Sequence, residues 1–183
     1  MYHISIISAS VRVGRKSHNV ALFLQKILQK NNLITVAILD LKKYDFPLFD
    51  ERLKFQNAPS LEALDFKNKI ISSDGIIIVT PEYNGSIPAS LKNVIDLLYD
   101  EWQNKPIAFS TVSSGEFGGM QALAHLQFVF EKIGAFLDAT NFPVSKVQEM
   151  FDDFGVPTHK KQTYEIAQLF IDEFIRCIVL NQK

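Results

Sequence analysis

Gly75-Ile76-Ile77-Ile78-Val79-Thr80, followed at once by Pro81-Glu82-Tyr83-Asn84-Gly85-Ser86-Ile87-Pro88, decides how this chain is read. Four successive Ile and Val residues describe a strand buried on both faces, as in a parallel sheet covered by helices. A polar, Pro-bounded turn ends the strand. Pro88 is tolerated in the first turn of a helix, and Leu91, Val94, Ile95, Leu98 and Tyr99 supply that helix with an apolar face. Strand, polar loop, helix is the unit to look for elsewhere.

The unit recurs on both sides. Tyr2 to Ser8, with Ile4, Ile6 and Ile7, reads as a buried strand. After the loop Ser8 to Lys16, a helix begins with Ser17 as its N-cap, and Val20, Leu24, Ile27 and Leu28 share one face. Leu33 to Leu39 is a β-branched second strand. Asp40 to Pro59 is a long irregular segment of the kind that is often functional. Ser60 caps a third helix through Leu61, Leu64 and Ile71. Pro106 to Val112 is a strand, Ser113 to Gly119 a loop, and about Met120 to Gly134 a helix. Ala135 to Ala139 forms a fifth strand, and Lys160 to Leu180 a final helix. This alternation predicts an α/β fold, a flavodoxin-like three-layer sandwich. Its sheet would be five-stranded and parallel, order 2-1-3-4-5, with helices on both faces and one domain over residues 1–183. Ligands of such sheets bind beyond the carboxyl ends of the strands, so the loops after strands 1, 3 and 4 should hold the chemistry.

Composition narrows the function. The chain has 183 residues, 47 % of them hydrophobic, with 15 Phe, which excludes a disordered segment as the main state. Lys plus Arg is 19 and Asp plus Glu is 20, giving a net charge of −1, which excludes binding nucleic acid through bulk charge. The single cysteine, Cys177, permits neither an internal disulfide nor a Cys-based metal site; it reads as buried filler in a reducing compartment. Met1-Tyr2-His3-Ile4 lacks the basic region of a signal peptide, and the longest uncharged run, Phe117 to Phe130, is too short and too polar to span a membrane. A cytoplasmic location is expected.

Three loops are candidates for a site. In the first, Ser10, Ser17 and Asn19 offer neutral hydrogen bonds and Arg12 a charged fork beside the amino end of a helix, which suits a phosphate. The alternative is an ordinary capped turn with a solvated basic loop. The sequence matches neither the P-loop pattern nor the dinucleotide GxGxxG. The second loop, Pro81 to Pro88, presents backbone polar groups to a flat heterocycle, with Tyr83 as an aromatic wall; the alternative is a plain strand-to-helix turn. The third, Ser113 to Gly119, has three glycines that let backbone approach a ligand, and N–H groups able to stabilise charge developing on a ring.

At this point the chain resembles a known family. Pro81 through Asp96 is similar to the PEYNxSxPGxLKNxxD signature of NAD(P)H-dependent FMN reductases, which include azo-dye, quinone and chromate reductases. The first loop resembles that family's GSxRxxS phosphate loop, Phe46-Pro47-Leu48-Phe49-Asp50 its segment after strand 2, and Gly118-Gly119 its third loop. Ala9 and Ala89 stand where the family has Gly, and Glu116 adds a carboxylate to the third loop. The resemblance implies that Ser10, Arg12, Ser17 and Asn19 hold the FMN phosphate, with His18 adjacent. It implies that Pro81, Glu82, Tyr83 and Asn84 line the isoalloxazine and that Ser113, Ser114 and Gly115 close its other side. Hydride would pass from NADPH or NADH through FMN to a small-molecule acceptor such as a flavin, quinone, azo compound or metal oxyanion. No Ser-His-Asp arrangement or metal-ligand spacing competes with that reading, so the cofactor carries the chemistry. The alternative is a flavodoxin-type electron carrier, which the near-neutral charge and the Arg-containing loop disfavour.

The helices at about 88–100 and 118–134 carry apolar residues nearly all round; Met120, Leu123, Leu126, Phe128, Val129, Phe130 and Ile133 are those of the second. That surplus predicts a homodimer or homotetramer built on these helices. The alternative is that the Asp40–Pro59 segment or the last helix covers it within one chain.

Overall fold

The computed structural model describes residues 1–182. Strands β1 (Tyr2–Ser8), β2 (Ile34–Asp40), β3 (Gly75–Pro81), β4 (Pro106–Val112) and β5 (Phe136–Asn141) form one sheet of order β2-β1-β3-β4-β5. All four pairings are parallel. Between them run α1 (Ser17–Leu28), α2 (Leu41–Tyr44), α3 (Leu61–Ser72), α4 (Ala89–Leu97) and α5 (Met120–Ile133), and after β5 come α6 (Val147–Met150) and α7 (Lys160–Asn181). The flavodoxin-like sandwich expected from the sequence is the fold observed.

The strand period of two explains the layering. In β3, Ile77 and Val79 point to the side of α1 and α7 and pack with Phe23, Leu24, Phe170 and Phe174. Ile76 and Ile78 point the other way, against α3, α4 and α5, with Phe66, Val94, Leu126 and Phe130. Each face is thus a separate core, and β3 has no polar side to offer water.

Several local expectations change. Ser17 is the first helical residue rather than the cap; Lys16 precedes α1 and its side chain makes no capping bond. Ser60 does cap α3, its Oγ accepting from Ala63 N at 3.1 Å. That cap sets a phase in which Ala63, Phe66 and Ile70 face the core, so Leu61 and Ile71 lie outside at 79 % and 52 % exposure. β5 begins at Phe136 and runs to Asn141, with an irregularity opposite Ile107 to Phe109. The 40–59 segment is ordered by α2 and a 3-10 turn at Leu53–Phe55.

The surplus of apolar residues on α4 disappears within the chain. Leu97 and Leu98 are buried in the same core as Leu53 of the 40–59 segment. On α5 and just before it, Phe117, Met120 and Phe128 remain exposed.

Candidate functional site

A cleft of about 230 Å³ opens at the carboxyl ends of β1, β3 and β4. Ser10, Arg12 and Ser17 line it from the first loop, Pro81, Glu82 and Tyr83 from the second, and Ser113 and Ser114 from the third. The structure therefore brings eight of the twelve expected residues to one place. His18, Asn19, Asn84 and Gly115 do not line it. Asn19 is buried and spends its side-chain amide on the Asp152 carbonyl at 2.8 Å, which holds the 151–155 turn against α1. His18 reaches back to Ser8 Oγ, 3.0 Å from Nδ1. Burial, with Arg15 beside it, lowers the pKa of His18, so the ring is neutral near pH 7.

The basic first loop sorts into three roles that the sequence did not distinguish. Arg15 forms a two-pronged bond to Asp40, at 2.5 and 2.6 Å, and donates to the Ser10 carbonyl at 2.7 Å. This ties the loop to the end of β2. Burial pushes the Asp40 carboxyl up, but the Arg15 hydrogen bonds and charge outweigh it and leave the pKa below the ordinary carboxylate range. Lys16 pairs with Asp153. Arg12 is exposed, and its guanidinium has no hydrogen bond or ion pair among the described residues.

The second loop is a two-residue hairpin. Tyr83 and Ser86 exchange backbone hydrogen bonds of 2.8 and 3.0 Å, and Asn84 and Gly85 sit at φ +51° and +73°. These signs at both central positions define a type I′ turn, for which Asn-Gly is the favoured pair. Tyr83 hydroxyl bonds Ser10 Oγ at 2.7 Å, joining the first and second loops across the cleft. Asn93 clamps the 46–49 segment onto α4 through Pro47 carbonyl and Phe49 N–H.

In the third loop, Ser113 N–H donates to Val144 and Val147 N–H returns a bond to Ser113. Glu116 pairs with Lys146 at 2.9 Å and is otherwise in solvent. Gly14, Arg15, Lys16, Val112, Val147 and Gln148 also line the cleft, beyond the twelve residues expected to hold the cofactor. The last two come from a segment with no motif. A larger cleft of about 510 Å³ lies elsewhere, between the 46–60 segment and α4, bounded by Phe46, Phe49 and Phe55.

Comparisons with known proteins bear on the family and the class of chemistry. The family model described as NADPH-dependent FMN reductase matches residues 2–148. A quinone reductase from Pseudomonas putida is 29 % identical over 195 aligned residues, covering 100 % of this chain and 97 % of its own. A quinone reductase from Escherichia coli is 36 % identical over 71 % of this chain and 68 % of its own. Among solved structures, FerB from Paracoccus denitrificans, a flavoenzyme NAD(P)H:(acceptor) oxidoreductase, superposes with a TM-score of 0.80 at 26 % identity, covering 99 % of both chains. The chain belongs to the NADPH-dependent FMN reductase family and is a flavin-dependent oxidoreductase.

The donors at one end of the cleft fit the phosphate of FMN. Ser17 Oγ is buried in the first turn of α1 with no hydrogen-bond partner among the described residues, although it borders the cleft. A buried hydroxyl left unpaired costs about 1–3 kcal/mol unless a ligand satisfies it. The amino end of α1 and the unpaired Arg12 add the positive field that a phosphate requires. Among the described residues no cluster could hold a metal ion, and no helix is long and apolar enough to cross a membrane.

Proposed function

We propose that residues 1–183 act as one domain that binds FMN in this cleft and passes reducing equivalents from NADPH or NADH to a quinone. Ser10, Arg12 and Ser17 hold the phosphate, while His18 and Asn19 stand behind them and fix the first turn of α1. Pro81, Tyr83 and the backbone of Glu82 line one side of the isoalloxazine and Ser113 and Ser114 the other, while Asn84 and Gly115 support these walls from outside the cleft. Hydride exchange with a nicotinamide donor and then with an acceptor is the chemistry a bound flavin supplies. The residues of the chain bind and orient: the Tyr83 ring forms a wall, and N–H groups of the third loop face the charge that develops on reduction.

The observation that carries this reading is the buried, unpaired Ser17 hydroxyl beside the unpaired Arg12 at the amino end of α1. Support for a quinone acceptor comes from the two relatives named quinone reductases. An anaerobic titration tests the whole: the yellow protein should bleach with NADPH or NADH, and an added quinone should restore the colour. A colourless protein that acquires no flavin would refute it, and colour restored only by free flavin, an azo compound or chromate would move the acceptor class.

The assembly is a homodimer or homotetramer. The exposed Phe117, Met120 and Phe128 support an interface on α5. Light scattering should give at least twice 20.8 kDa; the single-chain mass with flavin bound would defeat this. The free, buried thiol of Cys177 and the lack of any second cysteine support a cytoplasmic location.

A further inference from the structure

Helix α5 begins after two glycines at positive φ, Gly118 at +61° and Gly119 at +82°, so the residue in its N-cap position has no side chain with which to cap it. Its unpaired N–H groups are met from elsewhere. Glu82, 39 residues upstream of Gln121, turns its carboxylate onto the first turn, where Oε2 accepts from Gln121 N at 3.0 Å and Ala122 N at 3.3 Å. Two further contacts lie along the same helix. Gly85 packs so close to Gln121 that a β-carbon there would fall 2.4 Å from its Oε1. Ser86 Oγ lies 2.9 Å from Nδ1 of His125, one turn on.

We infer that Glu82 is a positioning residue that bolts the Tyr83–Ser86 hairpin onto α5 and so fixes the second and third loops as one frame around the flavin ring. The inference rests on the proposed flavin site and extends it. Its carboxylate faces α5, so Glu82 acts on the ring through the backbone of Tyr83 and Asn84. Glu82 N–H also bonds the Val112 carbonyl at 3.1 Å, which places the latch at the point where β4 enters the third loop. The latch concerns the ring end of the cleft, whereas Arg12 and Ser17 concern the phosphate end.

The test compares Glu82→Ala with Glu82→Gln, whose side-chain carbonyl can still accept both N–H groups. In Glu82→Ala, affinity for FMN and for riboflavin should fall by the same factor, about tenfold, because a smaller share of molecules holds the competent hairpin. Amide exchange at Tyr83, Ser86, Gln121 and Ala122 in the flavin-free protein should speed up. Glu82→Gln should restore most of both. Unchanged exchange and unchanged riboflavin affinity in Glu82→Ala would overturn the inference, and so would a Glu82→Gln protein no better than the alanine variant. If the wild-type protein bound neither flavin, the functional reading would fail while the exchange rates still decided the latch.

Discussion

Replacing Ser17 by alanine should stabilise the flavin-free protein while shrinking the stabilisation that FMN adds. The Ser17 hydroxyl is 3 % exposed as a residue, its Oγ has no partner, and it sits at the first position of α1. Deleting an unsatisfied buried hydroxyl removes a desolvation penalty of about 1–3 kcal/mol, and alanine is the better helix former. The flavin-free variant should therefore be about 1 kcal/mol more stable than wild type, a rise of roughly 2–4 °C in Tm for a chain of this size. The phosphate loses one hydrogen bond, which weakens FMN binding about five- to tenfold. At a concentration near 100 times the wild-type Kd, wild type gains about 2.7 kcal/mol from the ligand, and a tenfold weaker variant about 1.4 kcal/mol. Two thermal scans, without FMN and with it, read both effects in one protein. A flavin-free variant that melts below wild type, or a variant whose FMN-induced shift equals that of wild type, refutes the placement of Ser17 against the phosphate.

Arg12→Ala should weaken FMN ten- to a hundredfold and leave riboflavin affinity unchanged, since the guanidinium has no other partner to lose; fluorescence titration with both flavins decides it. Tyr83→Ala should lower turnover per flavin-loaded molecule more than it lowers Tm, because the ring is a cleft wall and its hydroxyl makes a single bond, to Ser10; a collapse of Tm with turnover intact contradicts that. Asp138 is buried between β5 and α7, with Oδ2 unpaired, and burial raises its pKa above the ordinary carboxylate value. The unfolded chain then gives up this proton more readily than the folded one, so stability falls as pH rises above about 4 toward the folded pKa. Asp138→Asn keeps the Oδ1 that accepts from Thr140 and should be the more stable protein near pH 7 but no better near pH 3; a denaturation series across pH measures the crossing.

The sheet was legible because β3 has to be apolar on both faces, and Ile76 to Val79 cannot be arranged otherwise. The three loops followed from the sheet, since parallel strands deliver their carboxyl ends to one edge. Arg15 was not separable from Arg12 in the sequence. Its partner Asp40 lies 25 residues away, at the end of a different strand, and no spacing rule relates the two. Ser17 read as a cap because Ser before an apolar period is a capping signal, yet the helix starts one residue earlier and leaves the hydroxyl facing the cleft. Glu82 looked like a ring neighbour because it stands in the loop; only the fold shows its carboxylate turned to α5. Val147 and Gln148 carry no motif, and they reach the cleft because Val144 bridges Val112 and brings that segment alongside β4. The surplus on α4 was misread because Leu53, which helps bury it, belongs to a segment whose path the sequence left open.

Flavin in the cleft between the three loops, with its phosphate on α1, has a direct signature in the backbone amides. The most direct measurement is a map of backbone amide chemical shifts during titration with FMN and, separately, with riboflavin. Residues 81–84 and 113–115 should shift with both ligands, and residues 10–17 should shift strongly with FMN alone. Shifts centred instead on Phe46, Phe49 and Phe55 in the larger cleft beside α4, with residues 10–17 unmoved, would contradict that placement.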